Sequence, residues 1–238
     1  MDKLDIQNTQ HWRNYYNDKS IVAKSIDLQF NVSRTRNGEK ISQKTWLKTI
    51  DYIRDLLSIK ENSDVLELCC GNGLVIGELA STCKEAIGID YSNILLKQLS
   101  ENYACDNLVT INADVNSYDL GSNKYDSIII YFSLQHFSEK ETYLVVNKCL
   151  NALKNGGRML LGDIPDLEKK WSYINKPSFH VDYFKRLEED KPKIGYWFQK
   201  DYFLAMNSVF TNVDFKIIEQ PTYQINSDYR FDVLIQKK

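Results

Sequence analysis

No run of about 18 apolar residues occurs in this chain, so it offers no candidate for a membrane-spanning helix. Neither sign of charge is in excess: 30 Lys and Arg stand against 32 Asp and Glu, a formal net charge of -2. A general nucleic-acid surface or a grip on anionic membrane needs a basic excess, and neither partner is expected. Histidine is scarce. The three present share no metal-ligand spacing with one another or with the five cysteines, and no metal is expected. The odd cysteine count, with Cys69 and Cys70 adjacent, offers no disulfide framework. Reduced thiols suit the cytosol, and Met1 to Asp5 lacks the apolar core of a signal peptide, so a cytoplasmic location is expected. There is no internal repeat and no low-complexity tract. What remains is 43% hydrophobic and 26% charged over 238 residues, a globular composition long enough for one large domain.

The informative stretch runs from Val65 to Asp90. Val65 to Leu68 reads as a short buried strand, Gly71 and Gly73 as a tight turn, and Leu74 to Ile76 with Leu79 and Ala80 as the start of an apolar-faced helix. Such a junction aims backbone N–H groups and a helix N-terminus at a ligand. A second strand, Ile87 to Asp90, ends in an acid about 20 residues on, where a nucleoside ribose needs an acceptor. The glycines at 71, 73 and 77 space as G-x-G-x-x-x-G, with Ile76 at the third position of the dinucleotide fingerprint. Glu67 just before the turn is poor company for a diphosphate and suits a ligand carrying an ammonium and a sulfonium.

Further landmarks follow in order. Val109 to Asp114 reads as a third strand ending in an acid, and Tyr125 to Tyr131 as a fourth whose unbroken apolar run fits a strand covered on both faces. Ser138 with Glu141 forms a capping box that starts a helix. Leu153 to Leu161, with Gly156 and Gly157, closes that helix and opens a fifth strand. Trp46, Ile50, Ile53 and Leu57 recur at helical spacing, so Ser42 to Leu57 should lay an apolar face on the sheet. Lys200 to Ser208 reads as a helix, and Val213 to Glu219 and Arg230 to Gln236 as closing strands.

With acid, glycine turn, ribose Asp and helix-Gly-Gly-strand junction in sequence, the chain resembles the class I S-adenosylmethionine-dependent methyltransferases. The resemblance implies an α/β fold: a Rossmann-like seven-stranded sheet with helices on both faces, one antiparallel strand near its edge, an N-terminal helical lid and an insert after strand 5. It divides the chain into an extension over 1–60 and a core over 61–238, with a substrate-binding insert over 164–198. It implies S-adenosylmethionine as cofactor, met by Glu67, Cys69, Gly71, Asn72, Gly73, Asp90, Tyr91 and Tyr131. Asp114 would accept from the adenine amino group, flanked by Ala113 and Val115. The leader His11-Trp12-Arg13-Asn14-Tyr15-Tyr16 with Asn31-Val32-Ser33-Arg34-Thr35 resembles small bacterial methyltransferases of surface-glycan gene sets, in which a Gly stands at the place of Ser33. Tyr16 and Arg34 would then close over the cofactor, Arg34 neutralising a carboxylate or an anionic acceptor. The plainer alternative has Trp12 and Tyr15 facing the core and Arg34 solvated.

Methyl transfer from a sulfonium is an in-line displacement, so the protein chiefly aligns acceptor, carbon and sulfur. A hydroxyl acceptor also needs a general base; a carboxylate or phosphate oxygen does not. The acceptor of an open α/β sheet sits beyond the carboxyl ends of the strands, which makes Tyr131, Gln135 and His136 the first suspects. His136 is read as base, as a hydrogen-bonding group or as packing; His180, in the aromatic insert, is the other candidate base, and His11 belongs to the lid or the scaffold. Lys185, Arg186, Lys191 and Lys193 alternate with acids, the pattern of a solvated face, and Arg230 is a further possible anion contact. The Asn/Asp-Pro-Pro-Tyr/Phe motif of amide and adenine N-methylation is absent, Tyr131 to Leu134 standing in its place. The expectation is a cytosolic methyltransferase of a small polar metabolite, with an oxygen acceptor such as a sugar hydroxyl or phosphorylated small acid favoured. The alternatives are a catalytically silent S-adenosylmethionine sensor or partner-binding protein and, third, a nicotinamide oxidoreductase.

Overall fold

The computed structural model describes residues 12, 14–18, 27–36 and 38–238; His11 and Arg13 of the leader lie outside them. Its centre is a seven-stranded sheet. Strands β3 (Asp64–Leu68), β4 (Glu85–Asp90), β5 (Leu108–Asn112), β6 (Tyr125–Tyr131) and β7 (Leu153–Pro165) run parallel. β9 (Arg230–Lys237) lies antiparallel between β7 and β8 (Val213–Glu219), giving the order β5-β4-β3-β6-β7-β9-β8. The ends of β3 and β4 and the residues after β6 converge where the strand order reverses, the place for a ligand in an open α/β sheet.

Alternation along each strand splits the core into two layers. Val65, Ala86, Ile129 and Leu160 face the helices Gln43–Leu57, Ile76–Ala80 and Asn93–Asn102. Leu66, Ile87, Ile128, Ile130 and Leu161 face Glu139–Ala152 and Lys200–Asn207. Ile128, Ile129 and Ile130 are all fully buried, each contributing about 1.5–3 kcal/mol by its removal from water. That double cover is why β6 reads as an unbroken apolar run.

Local chemistry sets the element ends. The Ser42 side chain accepts the Thr45 N–H at the start of Gln43–Leu57, and Ser58 ends that helix in the left-handed region at φ 53°. Ser138 and Glu141 form the reciprocal capping box at the start of Glu139–Ala152. Three features depart from the sequence expectation. β5 is an edge strand that stops at Asn112, and Asp114 lies in the following turn, its Oδ1 accepting the Asn116 N–H at 3.0 Å. The helix after the glycine turn is short, Ile76–Ala80. The extension is not wholly helical: β1 (Thr35–Arg36) and β2 (Glu39–Lys40) form a hairpin within it. The insert carries helices Lys170–Tyr173 and Pro177–Glu188.

Candidate active site

The turn after β3 is braced by two buried acids. Glu67 Oε2 accepts the Ile76 N–H at 2.9 Å, where the next helix begins. Asp90, at the tip of β4, accepts the N–H of Gly71 at 2.9 Å and of Ser92 at 2.8 Å. Burial pushes the Glu67 carboxyl well above the usual carboxylate range. Burial also raises Asp90, to about 6, with the backbone N–H bonds holding it back. Gly73 sits at φ 83°, and a Cβ there would come within 2.5 Å of Leu99 Cγ. Cys69 takes φ 56°, a left-handed conformation that glycine would adopt without strain.

Glu67, Cys69, Gly71, Asn72, Asp90 and Tyr91 line one wall of a cleft. Asp114, Val115 and Tyr131 extend it, and Tyr16 and Arg34 close it from the N-terminal segment. Gly73 and Ala113, both expected at the cofactor, stand behind the wall; the Ala113 N–H is taken by the Asp90 carbonyl at 3.0 Å. Val32, Phe132, Ser133 and Glu141 also line the cleft without having been singled out. Val32 lies 3.3 Å from where a Gly71 Cβ would stand, a contact across the chain that no local pattern announces.

His136 follows β6 on the single turn Leu134–His136. The Trp12 ring packs on it with centroids 4.4 Å apart, and the Tyr16 hydroxyl lies 3.4 Å from Nε2. Burial holds the Tyr16 phenol above its ordinary range, so it is a neutral group able to donate to Nε2. The Tyr91 hydroxyl donates to the Trp12 carbonyl at 3.3 Å, and Ser92 Oγ to Asn17 Oδ1 at 2.9 Å, fastening the 14–18 helical stretch over the cleft. His180 is not brought to this site. It is exposed on Pro177–Glu188, a helix with no fully buried residue, and lines no part of the cleft.

Arg34 is not solvated. It is buried, ion-paired with Asp163, 3.4 Å from the Tyr131 hydroxyl, and its guanidinium lies 4.6 Å from the Phe132 ring centroid. Trp12 is buried, whereas Tyr15 is exposed. Ser33 takes φ 59°, the conformation that the glycine of the resembled pattern would supply. Arg230 is also buried and donates Nη1 to the Asp163 carbonyl at 2.5 Å. Burial alone would raise Asp163; the Arg34 and Arg230 guanidiniums outweigh it and hold the carboxyl below the usual range. In the insert, Arg186 pairs with Asp182 and Lys191 with Glu189, all at partly or largely exposed positions.

The polar lining bears on the ligand. Glu67, Asp90, Asp114 and Glu141 line the cleft, and among the described residues its one lining guanidinium, Arg34, is tied to Asp163. This lining offers acceptor oxygens to a ligand that carries hydroxyl and amino donors. Among the described residues no group of three or more His, Cys, Asp or Glu side chains is placed to hold a metal ion. No helix among them is long and apolar enough to cross a membrane.

Comparison with known proteins bears on the fold. Residues 65–157 match a family model described as a methyltransferase domain. Phosphoethanolamine N-methyltransferase 1 of Zea mays is 25% identical over 198 residues, covering 79% of this chain and 38% of the relative. The protein of that name from Arabidopsis thaliana is 30% identical over 159 residues, covering 66% and 30%. The chain thus spans well under half the length of these plant relatives. Among solved structures, phosphoethanolamine N-methyltransferase 1 of Haemonchus contortus, in complex with phosphoethanolamine and S-adenosylhomocysteine, superposes with a TM-score of 0.71 at 14% identity, covering 96% of this chain and 48% of that one. Magnesium protoporphyrin IX methyltransferase from Synechocystis, with bound S-adenosylhomocysteine, superposes with a TM-score of 0.63 at 13% identity, covering 97% and 100%. The fold is that of the class I methyltransferases.

Proposed function

We propose that this chain, which carries a methyltransferase domain on the class I fold, moves the methyl group of S-adenosylmethionine to a small polar acceptor, with His136 and Tyr16 handling the acceptor's proton. The observation that carries the reading is the convergence of Glu67, Asp90 and Asp114 on one cleft that His136 also lines. When bound, S-adenosylmethionine supplies a methyl group already activated on a sulfonium, so alignment and exclusion of water account for most of the acceleration. Asp90 would accept from the ribose hydroxyls, Asp114 from the adenine amino group, and Glu67 from the ammonium of the amino-acid end. Trp12 and Tyr16 roof the cleft and keep water from the reacting atoms. Tyr16, whose hydroxyl lies 3.4 Å from Nε2, gives its proton to His136 as it takes the one leaving the acceptor's hydroxyl or amine. The segment up to about residue 60 serves as the lid, and the insert over 164–198 borders the acceptor side.

The plant and nematode relatives, named for an N-methylation, support a small polar acceptor and set an amine beside the expected hydroxyl. The surface-glycan association gains no support from them. Calorimetry with S-adenosylhomocysteine and with NADH tests the cofactor: the first binds and the second does not, and NADH binding alone would end the proposal. Methyl transfer to a panel of small amines and alcohols then tests turnover. His136→Ala should retain S-adenosylhomocysteine affinity and lose about 100-fold or more in rate. A rate equal to wild type would remove His136 from the chemistry.

A further inference from the structure

Beside Phe132 the protein buries more positive charge than the proposed methyl transfer uses. Arg34 and Arg230 both lie over the Phe132 ring, at 4.6 and 4.8 Å from its centroid. Both reach the same oxygen of Asp163, Arg34 by a direct ion pair and Arg230 at 3.7 Å. One carboxylate therefore serves two guanidiniums. Asp232, the other acid of the cluster, is engaged by neutral donors: the Asp163 N–H at 2.7 Å, Gln220 at 2.7 Å and the Tyr52 hydroxyl at 3.0 Å. Within this network three buried N–H donors have no partner, namely Nε of Arg34, Nε of Arg230 and Nε2 of Gln224. Gln224 is held in place by the Tyr131 hydroxyl, which donates to its Oε1 at 3.2 Å. Against these donors the cluster leaves one buried acceptor unpartnered, Gln220 Oε1.

Buried donors are normally satisfied, and charged ones left without a partner are the costliest. What this cluster lacks is acceptor oxygens set against those three donors. Arg34 and Phe132 line the cleft, so the cluster adjoins the wall that also bears Tyr131 and His136. We propose that Arg34, Arg230 and Gln224 form a subsite for an oxyanion, a carboxylate or a phosphate monoester, that anchors the methyl acceptor. This rests on the reading of the cleft as a methyl-transfer site. It sets the acids that line the cleft from the β3 and β4 tips to the turn after β5 against Arg34 beside the end of β6, with Arg230 buried behind it. Planar guanidinium forks match either oxyanion in geometry, and the low dielectric around them strengthens the attraction.

The test is calorimetry on the full chain saturated with S-adenosylhomocysteine, titrated with inorganic phosphate or acetate against chloride at matched ionic strength. At least one oxyanion should bind, phosphate alone marking a phosphate ester and acetate alone a carboxylate. Arg230→Gln should weaken that binding at least tenfold while S-adenosylhomocysteine affinity stays the same. Should Arg230→Gln fail to fold, Gln224→Glu keeps both guanidiniums, sets a competing carboxylate beside them, and should abolish oxyanion binding. Failure of both oxyanions to bind the wild type, or undiminished binding in the folded variants, overturns the subsite. If S-adenosylhomocysteine itself does not bind, the cofactor reading fails instead, and the same oxyanion titration of the ligand-free chain still decides the subsite.

Discussion

At one end of the cleft Glu67 and Asp90 reach the site from neighbouring strands, and each is held by backbone N–H groups from the adjoining turn. At the other end Arg34, Asp163 and Arg230 come from positions 129 and 67 residues apart, and Asp163 holds both arginines. In the first arrangement each acid is satisfied locally and faces a ligand, so losing one costs binding more than folding. In the second one carboxylate holds both guanidiniums, so losing it strands them in a low dielectric.

The most forceful way to break that comparison is Asp163→Asn, which leaves two buried guanidiniums without their carboxylate and should destabilise the chain by about 3–5 kcal/mol. Denaturant unfolding checks it, and a loss no larger than that of Asp90→Asn would erase the distinction. Asp90→Ala should weaken S-adenosylhomocysteine binding by roughly 1–3 kcal/mol, read by calorimetry. Unchanged affinity would remove Asp90 from the cofactor.

A pH titration sharpens the same contrast. Burial raises the folded Asp90 carboxyl to about 6, above its ordinary 3.8. Its contribution to ligand-free stability is therefore fully present below about 4 and lost as pH rises through 6. S-adenosylhomocysteine binding follows the opposite sign, because the ribose wants the charged acceptor, and affinity should fall as pH drops below about 6. Asp163 has its carboxyl lowered, so its stabilisation persists above its ordinary range and is lost only on strong acidification. Asp90→Asn should flatten the affinity profile around pH 6; a slope retained in that variant would assign it elsewhere. The smallest expected effect belongs to Ser33→Gly, which relieves a left-handed residue at φ 59° and should raise stability by about 1 kcal/mol or less, measured by thermal unfolding. A loss of stability would mean that the Ser33 Oγ contact with the Tyr15 hydroxyl at 3.3 Å outweighs the strain.

Much of the fold around the cleft was legible because its signals are short-ranged. The apolar run of β6, the Ser138–Glu141 capping box and the helical period of Trp46, Ile50, Ile53 and Leu57 each depend on residues a few positions apart. Asp114 was legible as an acid near a strand end but not as a turn residue, since edge exposure of β5 depends on what lies beside it. The choice between His136 and His180 was not legible. Tyr16 lies 120 residues from His136 in sequence, and only the folded chain brings the two together. The departures from ordinary backbone at Cys69, Phe132 and Asp163 were equally hidden, because the surroundings impose them against the residues' own preference.

Taken alone, the order of residues determined the parallel strands, the glycine turn and the acids at or just beyond the strand ends, because hydrophobic period and turn chemistry act between close neighbours. Tertiary structure alone decided that Arg34 is buried against Asp163 and that Arg230 joins it over Phe132. It also decided that His136, rather than His180, meets Tyr16. Charge pairing and burial depend on which distant segments meet in the folded chain, and no local pattern carries that information.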